Sequence, residues 1–581
     1  MARSTTRSEW PWIVLPMLAV MSLWYLWNRS SGLYPGDVSE GGRLTVITYG
    51  TDRNPSRQEQ IAIFNRAHRA EGLVVVAVPG GNDINQIKTV SAGRGAPDVI
   101  DVGPHEDLRD YARLGIAVPI DQYLAARGVD LDEVSWPQRV AACRIRHQGA
   151  TRTFAVPNNV DAGAVWFNRS MYQQAVEERR AAGVSVPPEP WLDWTWWDYA
   201  AIGRLLHRRG ADGRFRSFGA SVPDFRLLYL QHRWSTLGDG ASARPRDYLP
   251  YGQDADGTWL FPDRGALADV LQFCDDLVVA LEASPSGSDE SQMASGGTGF
   301  GSSDDRGRFN SGQQGLCIAG RWNLGGLRPA ASFEWRLLRL PRWVPYAEWE
   351  RWQREGKGPG RRDGAWGDAD AETRRRGFAS TISGRMTFVT GSSRHPELAA
   401  RFLEFLVTNR DFSRALAIED GMGARRDVTL DYLSKPDPDL PGEAERRPVA
   451  HELGALERVF PSPVWPYANY RTRIFTGRND VISDKIDIEA ETIRARLGMD
   501  PDHRRLAAFG DGVKRGYGRI GASLAAVAIA ALESAAEDGR RLAAPPQAQG
   551  PKAVSAFFFL LLAAMAVGWW LSRRRQGGAH A

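Results

Sequence analysis

The chain has 581 residues, 43% hydrophobic and 24% charged, with 73 basic against 69 acidic residues and a formal net charge of +4. That length exceeds what one hydrophobic core supports, so two or more domains are expected. The near-balance of charge argues against a dedicated nucleic-acid binder, which needs a concentrated basic face, and three widely spaced cysteines without a C-x-x-C pair argue against a structural zinc site.

The first element is an uncharged apolar segment, Trp10 to Trp27, close to the ~20 residues that cross a ~30 Å hydrocarbon layer. Tryptophans mark its ends, Arg3 and Arg7 precede it, and neither an A-x-A site nor a cysteine follows it, so an uncleaved membrane anchor is expected. After a Gly/Ser linker, Arg43 to Gly50 alternates as a strand. Residues 56–70 carry Ile61, Phe64 and Ala67 at helical spacing. The runs LVVVAV and APDVIDV read as strands buried on both faces, with short helices over 84–93 and 106–115. Strand and helix thus alternate over the first ~120 residues, which predicts a mostly parallel sheet covered by helices.

Further on, a strand to Val156 meets a polar break at Pro157-Asn158-Asn159, and a second strand runs through Phe167 into a helix. The segment WLDWTWWDY, Trp191 to Tyr199, opens another helix and reads as packing rather than as a site. A strand over 214–221 and a helix over 267–283 precede a Ser/Gly-rich loop, Ser284 to Gly307. Then comes an apolar strand, Leu316-Cys317-Ile318-Ala319, that stops at Gly320 and hands over to Arg321 and Trp322. Another strand (333–343), a second polar loop (354–377), two helices (395–421) and a helical tail from about 484 follow. Ala553 to Leu571 is again uncharged and apolar, with Arg573, Arg574 and Arg575 behind it. Basic flanks at both ends predict two cytoplasmic termini and an extracytoplasmic middle.

No P-loop, H-E-x-x-H or G-x-S-x-G motif occurs, and no histidine pair has metal-ligand spacing, so neither a metal nor a cofactor is expected. The glycines of GGTGFG, Gly296 to Gly301, lack a preceding strand and read as loop. The three cysteines read as small buried hydrophobes.

Four pieces in order resemble extracellular solute-binding proteins of the sugar-binding type, relatives of the maltodextrin-binding proteins of ABC transporters. These are LTVITYGTD, then APDVIDVGPHEDLRDYARLGIAVPIDQYL with its turn at Gly115 to Asp121, then FAVPNNVDAGAVWFNRSMY, and FNSGQQGLCIAGRWNL. A fifth, TFVTGSSRHPELAARFLEFL, matches a later strand, loop and helix, and the resemblance spans roughly residues 44–475. It implies an α/β, two-lobe periplasmic-binding-protein fold (type II-like), here with a transmembrane helix at each end. The implied organisation is an N-terminal transmembrane helix at 10–27, lobe 1 beginning with 44–157, and lobe 2 beginning with 158–290. A return to lobe 1 follows at 308–345, then a polar insertion at 346–378. A C-terminal part shared by both lobes (379–483), a helical tail (484–545) and the second transmembrane helix (553–571) complete it.

The resemblance also implies a ligand cleft between the lobes. Trp322 would lie against a sugar ring, and Arg321, a departure from the small residue or proline usual there, would fork hydrogen bonds to hydroxyls or a carboxylate. Asp161 takes the place of a hinge carboxylate, with Asn158 and Asn159 beside it. Asp52 and Arg53 follow the first strand, Asp101 and, less so, His105 follow the third, and Trp465 and Tyr467 stand where an aromatic enters from the second lobe. The implied function is a membrane-anchored, non-enzymatic receptor in the bacterial cytoplasmic membrane. It captures a small molecule, a carbohydrate first, by closure about Pro157–Gly163 and passes it to an ABC permease served by a separate ATPase. An extracytoplasmic glycan hydrolase and a ligand-free tethered sensor or scaffold stand as alternatives.

Overall fold

The structure is a computed structural model that describes residues 43–47, 55–78, 87, 97–103, 108–190, 194–210, 215–237, 252–253, 259–278, 281–284, 302–355, 379–419, 421–434 and 459–461, with scattered positions between 522 and 533. The chain divides into two compact units, Met1–Ala528 and Ile529–Ala581; every element named below lies in the first. Both expected membrane segments, the helix expected over 84–93 except Ile87, most of the tail and the glycine run at 296–301 lie outside the described residues. Among the described residues no helix is long and apolar enough to cross a membrane.

The strands, in chain order, are β1 (Arg43–Ile47), β2 (Val74–Val78), β3 (Val99–Val102), β4 (Arg144–His147), β5 (Ala150–Thr153), β6 (Val156–Pro157), β7 (Asn159–Asn168), β8 (Arg208–Arg209) and β9 (Phe215–Ala220). There follow β10 (Gly252–Gln253), β11 (Trp259–Leu260), β12 (Gln314–Gly320), β13 (Trp335–Leu338), β14 (Ser380–Ser383), β15 (Met386–Val389), β16 (Met422–Gly423) and β17 (Val459–Pro461). The helices are α1 (Pro55–Ala67), α2 (Leu108–Arg113), α3 (Asp121–Ala126), α4 (Leu131–Val134), α5 (Pro137–Ala142), α6 (Arg169–Ala181), α7 (Trp196–Leu206) and α8 (Phe225–Leu237). After them come α9 (Arg264–Val278), α10 (Ser302–Asn310), α11 (Leu324–Ala330), α12 (Tyr346–Glu355), α13 (Pro396–Thr408), α14 (Arg410–Glu419) and α15 (Arg426–Leu433).

Two main sheets form. The first has the order β2-β1-β3-β15-β6, with β2, β1 and β3 parallel as expected and β15 antiparallel to β3 and β6. Its core joins Leu44, Val46 and Val99 of the strands to Phe64 of α1 and to Phe402, Leu403, Phe405 and Leu406 of α13. The second sheet has the order β17-β14-β7-β12-β9-β8, with β13 and β16 also paired to β7. β7 is its spine: along ten residues it pairs antiparallel with β16, β14, β12 and β13. Buried against neighbours throughout, it reads Ala-Gly-Ala-Val-Trp-Phe where an exposed face would alternate.

The segment 308–345, expected to return to the first lobe, stays in the second. β12 and β13 both pair with β7 there, because the apolar run Leu316 to Ala319 finds its partners at Phe167 to Ala164. The return is made later, between β14 and β15. The start of the expected polar insertion is helical: α12 buries Trp349, whose indole N–H donates to Asp198 Oδ1 at 2.9 Å. Likewise the end of the expected loop before Gly307 is the start of α10.

The tryptophan-rich entry of α7 is packing, as expected. Thr195 and Asp198 form a capping box, and the indoles of Trp194 and Trp197 donate to the carbonyls of Arg339 and Val344 at 2.7 and 2.9 Å. Among the described residues nine tryptophans are buried, so tryptophan there serves cores first. No disulfide joins the three cysteines; burial pushes the Cys143 and Cys317 thiols up to about 12, while Cys274 is partly exposed.

In α9 the Asp276 carboxyl is buried and pushed up to about 8, chiefly by loss of solvent and further by neighbouring Asp275, against a hydrogen bond from Gln272. The unfolded chain releases this proton near 3.8 and the folded one near 8, so stability falls as pH rises through that window. Asp276→Asn is expected to flatten this slope between about pH 4 and pH 8, measured as urea-unfolding free energy at stepped pH.

Candidate functional site

The chain crosses between the two sheets at two adjacent points and passes once more to the second sheet between α14 and β16. On the way out, β6 ends at Pro157 and β7 begins at Asn159, leaving Asn158 alone between the sheets. On the way back, Gly384 and Arg385 separate β14 from β15. The Asn158 N–H donates to the Arg385 carbonyl at 3.0 Å, and the Arg385 N–H donates to Asn159 Oδ1 at 2.8 Å. Gly384 sits at φ +142°, and a side chain there would meet the Asn159 carbonyl 2.1 Å away, so only glycine lets the two passes lie this close.

A buried polar network fixes the pair of crossings. Arg385 Nη1 stands 2.6 Å from Asp101 Oδ2, with both side chains at most 3% exposed. The Thr387 hydroxyl donates to Asp101 Oδ1 at 3.3 Å and accepts from Asn158 Nδ2 at 3.1 Å. Arg139 of α5 donates to the Gly384 carbonyl. Asp101, expected among the ligand contacts, is therefore committed to the crossing, and so is the Asn159 side-chain oxygen. The Asn158 Oδ1 atom is buried without a hydrogen-bond partner among the described residues.

The second cluster is at the carboxyl end of β12. The Arg321 N–H donates to Asp161 Oδ1 at 2.9 Å, tying the end of β12 to the start of β7. The space beside Gly320 is filled: a Cβ would fall 1.7 Å from Asp161 Oδ2 and 2.6 Å from Trp322 Cδ1. Arg321 is buried and points inward, where its Nη1 donates to the carbonyls of Ala417 and, at 2.6 Å, Gly421, with the guanidinium over the Tyr432 ring. Its neighbour does the opposite. Trp322 is 38% exposed, and the Arg306 guanidinium of α10 lies 4.3 Å above its ring.

Of the expected site residues, the structure thus gathers Asn158, Asn159 and Asp101 at the crossing, and Asp161, Arg321 and Trp322 at the β12 terminus. Asp52, Arg53, His105, Trp465 and Tyr467 lie outside the described residues. Sequence reasoning passed over Arg385, Arg306 and Arg328. Arg306 sits in a Ser/Gly-rich stretch, and no spacing links Arg385 to Asp101, 284 residues away.

These are two α/β lobes joined by paired crossing strands, with one exposed aromatic at a strand's carboxyl end, where open α/β sheets hold ligands. Residues 51–259 match the family described as bacterial extracellular solute-binding protein. No curated protein matches the chain. Among solved structures, an ABC substrate-binding protein from Listeria monocytogenes in complex with cycloalternan is similar, with a TM-score of 0.52 and 16% identity over 83% of this chain and 98% of the other. So is CpMnBP1 with mannobiose bound, with a TM-score of 0.51 and 13% identity over 84% of this chain and 100% of the other. Such likeness establishes the fold, the two-lobe periplasmic-binding-protein architecture that the sequence resemblance implied.

Removing one partner of a buried ion pair leaves the other charge uncompensated. Asp101→Ala is expected to cost about 3–5 kcal/mol in urea unfolding, and Asp101→Leu combined with Arg385→Met less than that. Gly320→Ala forces Asp161 and Trp322 apart and is expected to cost about 1–3 kcal/mol in the same assay.

Proposed function

We propose that the chain is an extracytoplasmic solute-binding protein that takes a small molecule, a carbohydrate, between its lobes and delivers it to an ABC importer. The observation that carries this reading is Trp322, an exposed indole beside a buried carboxylate at the end of β12. An indole face suits the apolar C–H face of a sugar, whose hydroxyls turn outward to polar groups. Asp161 and the buried acceptor Asn158 Oδ1, which has no hydrogen-bond partner among the described residues, are the polar groups proposed to meet those hydroxyls. Asp52, Arg53, Trp465 and Tyr467 complete the proposed contact set, whereas Arg321 and Asp101 act as frame for it.

Closure follows the paired crossings at Asn158 and at Gly384-Arg385, a hinge of two short links. The uncharged segments at 10–27 and 553–571 anchor the protein at both ends and hold the binding lobes close to the permease, raising their effective concentration there. The chain itself carries out no covalent chemistry in this scheme.

A thermal-shift screen of the full chain against sugars, sugar acids and amino acids is expected to give a rise in Tm with a carbohydrate. Trp322→Ala is expected to bind that carbohydrate about 10- to 100-fold more weakly, with the ligand-free Tm unchanged. Binding as tight as the parent's removes Trp322 from the site, and turnover of a glycan replaces the receptor reading with a hydrolytic one.

A further inference from the structure

α14 is shared between the lobes. Its Phe412 and Leu416 are fully buried in the first-lobe core, with Phe412 against Phe405 of α13. The next residue, Ala417, packs with Val160, Ala162 and Ile382 of the second sheet. The helix ends at Glu419, and its last carbonyls point at cations of the second lobe. Arg321, at the end of β12, donates to Ala417 and Gly421. Arg328 of α11 donates to the Ile418 carbonyl at 2.7 Å. The unsatisfied carbonyls and negative dipole end of a helix are where cations bind best, and hydrogen bonds from a charged donor are the stronger kind.

We infer that Arg321 and Arg328 form a clasp that couples the second lobe to the first through the carboxyl end of α14, and that this clasp sets the preferred angle between the lobes. The two cations lie on elements that flank Trp322: Arg321 precedes it and α11 begins two residues after it. Arg321 is held at both ends, its N–H by Asp161 and its guanidinium by α14. Any displacement of this turn therefore moves the end of α14, whose body belongs to the other core. The clasp is a non-covalent link beside the two crossing strands and beside the chain's own passage from α14 into β16, which pairs with β7.

The test needs no ligand, so it stands or falls separately from the carbohydrate reading. Spin labels at Glu133→Cys in α4 and Glu177→Cys in α6, both exposed, report the distance between the lobes in a Cys274→Ser background, Cys143 and Cys317 being buried. The full chain is expected to give one narrow distance distribution. Arg328→Ala, which changes a half-buried residue, is expected to broaden it, with about tenfold faster hydrogen exchange over 421–423. Arg328→Lys keeps the charge and is expected to restore most of the narrowing; Arg321→Lys tests the buried arm. Faster exchange with an unchanged distance distribution makes the cations a local cap and overturns the inference. Unchanged exchange and distance in both Arg328→Ala and Arg321→Lys overturn it as well.

Discussion

The architecture depends on the buried ion pair of Asp101 and Arg385, because it pins two crossings of the chain side by side. Asp101 belongs to β3 in the first sheet, and Arg385 to the two-residue link that re-enters that sheet. A buried charge pair is a poor source of stability, since desolvation offsets most of the attraction. What it supplies is position. The guanidinium meets its carboxylate in one place, and this fixes the Arg385 backbone, which exchanges hydrogen bonds with Asn158 and with the Asn159 side chain on the outgoing pass. The two crossings thereby become one narrow, doubly linked ribbon instead of two independent tethers. Gly384 makes that spacing possible, because any Cβ would collide with the opposite backbone.

From that ribbon β7 runs into the second lobe and changes character along its length. Its first residues, Asn159, Val160 and Asp161, pair with β16 and β14, and its later ones with β12 and β13 in an apolar interior. The gradient from polar junction to buried core brings Asp161 beside the end of β12. There one carboxylate oxygen takes the Arg321 N–H, and the other occupies the hollow left by Gly320. Arg321 and Trp322 then diverge for a mechanical reason. A guanidinium next to helix-terminal carbonyls and an aromatic ring gains more by turning inward than by facing solvent, and the following residue of a tight turn points elsewhere.

Much of the fold was legible because local chemistry and position agree. The β-branched runs at 43–47, 74–78 and 99–102 became parallel strands, and the polar break at Pro157-Asn158-Asn159 became the crossing. The destination of β12 was not legible. An apolar strand buried on both faces carries no mark of which sheet receives it, and only the match to the Ala164–Phe167 stretch decides. Of the candidate site residues, the turn after β12 marked Trp322 and the start of β7 marked Asp161, and the structure brings the two together, but what each side chain touches depends on partners far along the chain. Asp101 looked like a ligand carboxylate until Arg385 met it, and Arg321 looked like a ligand cation until the end of α14 did. Long-range polar pairing leaves no period in sequence, whereas hydrophobic burial does.

The contact between Arg306 and Trp322 decides whether the exposed ring is accessible. A guanidinium over an indole at an exposed site contributes about 0.5–1 kcal/mol. A ligand that covered about 40 Å² of apolar surface there would gain about 1 kcal/mol at ~25 cal/mol per Å². The contact of the arginine is thus of the same strength as a modest apolar contact, and on the proposed reading a sugar ring that spans the indole and also finds hydrogen bonds nearby displaces it. The ring itself has less freedom to move, since the residue before it is fixed through both backbone and side chain. An aromatic whose preceding residue is fixed loses little entropy on binding, which favours the proposed placement of a ligand at the β12 terminus.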